Sequence, residues 1–101
     1  MLLVWLLVKA EDLTSSHRSQ IDIIAEILDA ADGSVKKTHI MYRCNLSFKQ
    51  LETYLNLLLN RGLLKRVSEE GKSSYTRSFE ITGKGQILLQ AYQSLKALLA
   101  S

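Results

Sequence analysis

Apolar residues recur at Ile21, Ile24, Ala25, Leu28 and Ala31, the spacing of one helical face, so Ser19 to Ala31 is predicted to form a first helix. Ser19 with Asp22 three residues on has the form of a capping box, and Gly33 is placed to end the helix. Lys36 to Arg43 fits a short second helix, with Ile40 and Met41 inside and the bases outside. Cys44, Asn45 and Leu46 then make a three-residue connection in which Asn45 suits a left-handed backbone. Ser47 reads as an N-cap with Gln50 as its partner, and a third helix is predicted to run to about Asn60 before Gly62 stops it. At about 100° per residue, Phe48, Leu51, Leu55, Leu58 and Leu59 share one arc of that helix. Lys49, Thr53, Asn56 and Asn60 fall on the opposite arc.

The pattern then shortens. Leu63 to Val67 has the length of a strand, Ser68 to Lys72 reads as a turn, and Ser74 to Glu80 alternates around Tyr75 and Phe79, which together predict a β-hairpin. Arg77 shares the face of Tyr75 and Phe79 and needs an exposed edge. A last helix starts at a possible N-cap, Thr82, and continues to the end, with Leu88, Ala91, Leu95 and Leu98 in a four-three spacing widened by Ile87, Tyr92 and Leu99. This stripe fits pairing with a second copy, the alternative being that it packs on the domain's own core. The expected organisation is an apolar N-terminal extension over 1–17, a compact domain over 18–82 and a C-terminal helix over 83–101.

Composition and charge sharpen this picture. The chain of 101 residues, 47% hydrophobic and 23% charged, has the size and make-up of one packed domain. The apolar run Met1 to Val8 falls well short of the roughly 20 residues that span a bilayer and lacks a basic segment and a cleavage site. It fits an extra strand or helix that packs on the domain or on a partner chain, where it would supply part of a dimer surface, or translated sequence upstream of a natural start. The lone Cys44 has no disulfide partner and no Cys/His cluster offers metal ligands, so an intracellular, metal-free protein without cofactor is expected. Net charge is only +3, but from Gly33 to Ser68 seven bases stand against the single acid Glu52, a local +6. That density attracts a polyanion, whereas Asp22, Glu26, Asp29 and Asp32 should face away from it.

Three helices with a short turn between the second and third, followed by a hairpin, is the element order of a winged helix-turn-helix. The fold class is therefore mainly α with a small β-hairpin, ending in a dimerisation helix. A major groove about 12 Å wide admits one helix, and residues near that helix's N-terminus come closest to base edges. Ser47, Lys49, Gln50, Thr53 and Asn56 are then the expected groove residues, with Lys36, Lys37, Arg43, Arg61 and the wing's Lys72 and Arg77 along phosphates.

The segments IDIIAEIL, KKTHIMYRCNLSFKQLETYLNLLLNRGLL and ITGKG resemble an archaeal winged-helix family that includes ArnR-type regulators and small dimeric ten-kilodalton DNA-binding proteins. The resemblance covers about four-fifths of the chain, with HIMYRCNLS its most specific part and ITGKG shared widely among winged helices. It implies a double-stranded DNA ligand, with recognition falling on Lys49, Gln50, Thr53 and Asn56. It also implies a homodimer through Leu88, Ala91, Leu95 and Leu98, to which the apolar pattern adds Tyr92 and Leu99. The final helix is shorter than a long coiled coil needs, and Met1 to Val8 has no counterpart in the ten-kilodalton branch. An enzyme is not expected: Cys44 and His39 have no partner that would orient them for chemistry. The competing reading is a winged helix that contacts protein rather than DNA. A cytoplasmic, nucleoid-associated protein without membrane or small-molecule partners is the expected setting.

Overall fold

In a computed structural model of the protein, residues 18–68 and 77–100 are described. Met1 to Val8, His17 and the hairpin turn lie outside them. The elements in chain order are α1 (Gln20–Ala30), β1 (Val35–Lys36), α2 (Lys37–Arg43), α3 (Phe48–Asn60), β2 (Leu64–Ser68), β3 (Arg77–Ile81) and α4 (Gly83–Ala100).

The helix ends follow local chemistry. Ser19 and Asp22 form a full capping box on α1, and Ser47 and Gln50 form another on α3. Both helix exits that bracket α3 turn through a left-handed residue, Asn45 at φ 53° and Gly62 at φ 72°. After α2 the Leu46 N–H donates to Met41 O at 3.1 Å, and after α3 the Leu63 N–H donates to Leu58 O at 2.9 Å. Each long-reach bond satisfies a carbonyl that the helix leaves over, and the left-handed residue makes that reach possible.

The core is one cluster in which Ile27 and Leu28 of α1, Ile40 of α2, and Leu51, Leu55 and Leu58 of α3 meet Leu64, Phe79 and Ile81 of the sheet. The sheet is antiparallel in the order β1-β3-β2, with Val35 opposite Phe79 and Leu64 opposite Ile81. The Ile81 N–H donates to Ala31 O at 2.9 Å, which ties the sheet to the end of α1.

Several expectations are corrected here. Lys36 belongs to β1 and caps α2 rather than lying in it, because Val35 and Lys36 pair with Phe79 and Ser78. Strand β2 runs on through Ser68, which was read as the first turn residue. Ile21 and Phe48 are exposed, Phe48 by 64%, since each sits in the first turn of its helix, beyond the neighbour that would cover it. The inward face of α1 carries Ile27 and Ala30 in addition to Ala25, Leu28 and Ala31.

Helix α4 divides along its length and around its girth. Thr82 caps it, its Oγ1 accepting from the Gly85 N–H at 3.0 Å. Leu88 and Leu89 pack on the core, and the Tyr92 hydroxyl donates to Asp22 Oδ1 of α1. Ile87, Leu95, Leu98 and Leu99 are exposed. Two members of the expected dimer stripe, Leu88 and Tyr92, thus contact their own domain, while Ala91, Leu95, Leu98 and Leu99 face outward.

Candidate nucleic-acid interface

Burying Leu51, Leu55 and Leu58 turns the opposite side of α3 to solvent, and there Lys49, Thr53, Asn56 and Asn60 are all exposed. Helical geometry alone places these four on one face. A shallow concavity beside this face is lined by Gln20, Ser47, Lys49, Gln50, Thr53, Tyr54 and Leu57, so the N-terminal half of α3 and the start of α1 share its floor.

The polar groups on the face are not equivalent. Gln50 spends its Oε1 on the Ser47 N–H at 3.0 Å, which closes the capping box and leaves its amide donors outward. Thr53 donates its hydroxyl to Lys49 O at 3.1 Å, keeping its methyl and lone pairs exposed. The Asn56 side chain makes no hydrogen bond within the described residues and keeps both donor and acceptor. Ser47 uses its Oγ to accept from the Gln50 N–H and keeps its own O–H donor.

The expected phosphate residues also divide. Lys37 pairs with Glu52 of α3, and its Nζ lies 4.5 Å from the Phe48 ring centroid. Arg43 pairs with Asp29 at 3.1 Å, and Lys65 with Glu80 at 3.6 Å. Among the described residues this leaves Lys36, Lys49, Arg61 and Arg66 as the exposed cations of the basic stretch without an ion pair. Arg61 caps the far end of α3, about 20 Å from Ser47 at the helical rise. Lys72 and the side chain of Arg77 lie outside the described residues.

Sequence reasoning missed Arg18. Its guanidinium donates to Cys44 O at 2.6 Å and Asn45 O at 3.2 Å, and pairs with Glu26 of α1. One side chain thereby holds two carbonyls of the turn between α2 and α3 and ties that turn to α1. No local signal marks this, because the partners are 26 and 27 residues away. Arg66, exposed on β2, was counted among the seven bases but not placed with the expected phosphate residues. Cys44 behaves as expected of a buried thiol: burial, with Glu26 adding to it, pushes its pKa up to about 11, which removes thiolate chemistry near neutrality.

Comparison with known proteins agrees with this arrangement. The family described as winged helix-turn-helix matches residues 17–100. An uncharacterized protein of Methanocaldococcus jannaschii is 34% identical over 71 residues, covering 63% of this chain and 73% of its own length. A longer uncharacterized protein of that archaeon is 34% identical over 88 residues, covering 86% of this chain but only 38% of its own length. The crystal structure of Sso10a-2, a DNA-binding protein from Sulfolobus solfataricus, matches with a TM-score of 0.70 at 22% identity, covering 82% of this chain and 83% of that one. The helix pair α2–α3 is thus a helix-turn-helix, the β2–β3 hairpin is its wing, and the chain belongs to the winged helix-turn-helix family.

Proposed function

We propose that this protein binds double-stranded DNA as a homodimer and regulates transcription or organises DNA, with α3 in the major groove and the hairpin against the flanking backbone. The observation that carries this reading is the outward face of α3, where Lys49, Thr53 and Asn56 stand exposed on a helix locked at both ends. An amide with both groups available can pair bidentately with adenine, so Asn56 is the base-reading residue and Gln50 a lesser contributor through its remaining donors. Lys36, Lys49 and Arg66 supply phosphate contacts, which position the protein and carry no sequence information. The likeness to Sso10a-2, described as a DNA-binding protein, supports the ligand class.

Assembly rests on α4. Ile87, Ala91, Leu95 and Leu98 follow one side of the helix, about a third of a turn away from Gly85, Leu88, Leu89 and Tyr92, which face the domain. A two-fold axis along that side buries the same stripe on both chains and offers two α3 helices to one duplex.

The test is binding of the full chain to random and selected duplexes across 50 to 200 mM salt. A log–log slope of about −0.9 per phosphate contact is expected, reduced by roughly that amount per site in Lys49→Gln. Asn56→Ala should relax selection at one base pair by about 1 to 3 kcal/mol. Absence of binding at the lowest salt, with tight salt-insensitive capture of a protein instead, would overturn the reading in favour of a protein-contact module.

A further inference from the structure

Glu52 is the one acid between Gly33 and Ser68, and it stands on α3 itself. Its carboxylate pairs with Lys37, the first residue of α2. The same ammonium lies over Phe48, one turn before Glu52 on α3. Both members of the pair remain about a third exposed, at 32% and 39%. Phe48, Glu52 and Asn56 follow each other at four-residue spacing along one side of α3, so the pair borders the face that carries Asn56 and Lys49.

We propose that Glu52 withholds Lys37 from DNA phosphates and so lowers the protein's affinity for any duplex. This rests on the DNA-binding reading above. A bare lysine at this border would release a counterion on any duplex and raise affinity without regard to sequence. Held between a carboxylate and an aromatic ring, Lys37 meets the duplex as half of a neutral unit. The pair therefore adds neither counterion release nor repulsion. What it removes is sequence-blind affinity, by the same factor on every duplex, while the contacts of Asn56 are untouched. Glu52 also depends on Lys37, since a carboxylate left alone at this place would repel the phosphate backbone.

The experiment compares the full-length parent with Glu52→Gln, Lys37→Gln and the double variant, by fluorescence anisotropy on a mixed-sequence duplex from 50 to 200 mM KCl. Far-ultraviolet circular dichroism and melting confirm that each near-isosteric variant is folded. Glu52→Gln frees one cation per protomer, so the salt slope should steepen by about 0.9 for each protomer bound, which is about eightfold tighter binding per contact at 0.1 M relative to 1 M salt. Lys37→Gln should weaken binding, and the double variant should return to the parental slope. A double variant whose slope is shallower than the parent's by about 0.9 per protomer would show Lys37 on a phosphate and overturn the proposal. An unchanged slope in Glu52→Gln would overturn it equally. Failure of all four proteins to bind any duplex would instead remove the DNA-binding reading, and this proposal with it.

Discussion

Gly85 gives the sharpest test of how α4 is seated. A Cβ built there would lie 2.7 Å from Ile81 Cγ1, closer still to the carbonyl oxygen of Leu63, and 3.3 Å from that carbonyl's carbon. The obstacle is backbone, and it is held: Leu63 O accepts from the Thr82 N–H at 3.1 Å. Thr82 is fixed in turn, its hydroxyl donating to Gly62 O at 2.7 Å while accepting from the Gly85 N–H. Relief in Gly85→Ala therefore means lifting α4 from the start of β2 and straining this joint. Overpacking costs about 1 to 3 kcal/mol, and a weakened hydrogen bond adds about 1 kcal/mol. Replacing a helical glycine by alanine returns about 1 kcal/mol. The net expectation is a loss of about 1 to 3 kcal/mol. Gly83→Ala is the internal control, because it lies on the same helix with nothing within 4 Å of its Cβ position, and it should be neutral or stabilised by up to about 1 kcal/mol. Urea denaturation at one fixed protein concentration, with the m-value checked for constancy, separates the two variants. If Gly85→Ala were as stable as Gly83→Ala, the close seating of α4 would be wrong.

Three further outcomes follow from named contacts. Arg18→Ala should lower stability by about 1 to 2 kcal/mol, because two carbonyls of the turn lose a charged donor that is only partly exposed; denaturation that matched the parent would remove Arg18 from the joint. The Asp22 carboxyl is held below its usual value of 3.8, chiefly by the Tyr92 hydroxyl and then by Ser19. Its contribution to stability is therefore present above that value and lost as pH falls through the lowered one, whereas Tyr92, raised from 10.0 by burial and then by Asp22, contributes below that value and loses its share as pH rises through the raised one. Tyr92→Phe should cost about 1 kcal/mol near neutrality and flatten both limbs of the stability profile, and unchanged limbs would place the bond outside the folded protein's energetics. Replacing Leu95 and Leu98 together by Glu should leave a folded monomer with weaker DNA binding, read by sedimentation, and a double variant that stayed dimeric would move the interface off α4.

Most of the fold could be read from local chemistry. The caps at Ser19, Ser47 and Thr82 and the left-handed turns at Asn45 and Gly62 are decided within a few residues, and such signals do not depend on the rest of the chain. Strand β1 could not be read, because two residues show no alternation and exist as a strand only through β3, more than 40 residues on. Phe48 misled for a related reason. Its place on the apolar arc is correct by angle, yet a first-turn residue is buried only if another element reaches past the helix end, and here it meets the Lys37 ammonium instead.

The face of α3 was legible for the same reason the helix was, since the leucines that must be buried fix which side is not. The charge carried by the surroundings was not legible. A count of seven bases against one acid treats each lysine and arginine as available, whereas the fold pairs Lys37, Arg43 and Lys65 with Glu52, Asp29 and Glu80. Two of those acids, Asp29 and Glu80, lie outside the basic stretch, so a count over that stretch leaves them out. Pairing of partly exposed charges adds little stability, but it decides which cations a polyanion meets without first displacing a partner. The bases left in that position, Lys36, Lys49, Arg61 and Arg66, come from β1, α3 and its exit, and β2. A duplex held by the first, second and last of these would touch both α3 and the sheet that carries the wing, and the Arg18 bonds tie the entry of α3 to the start of α1 while the Thr82 bond ties its exit to the end of β3.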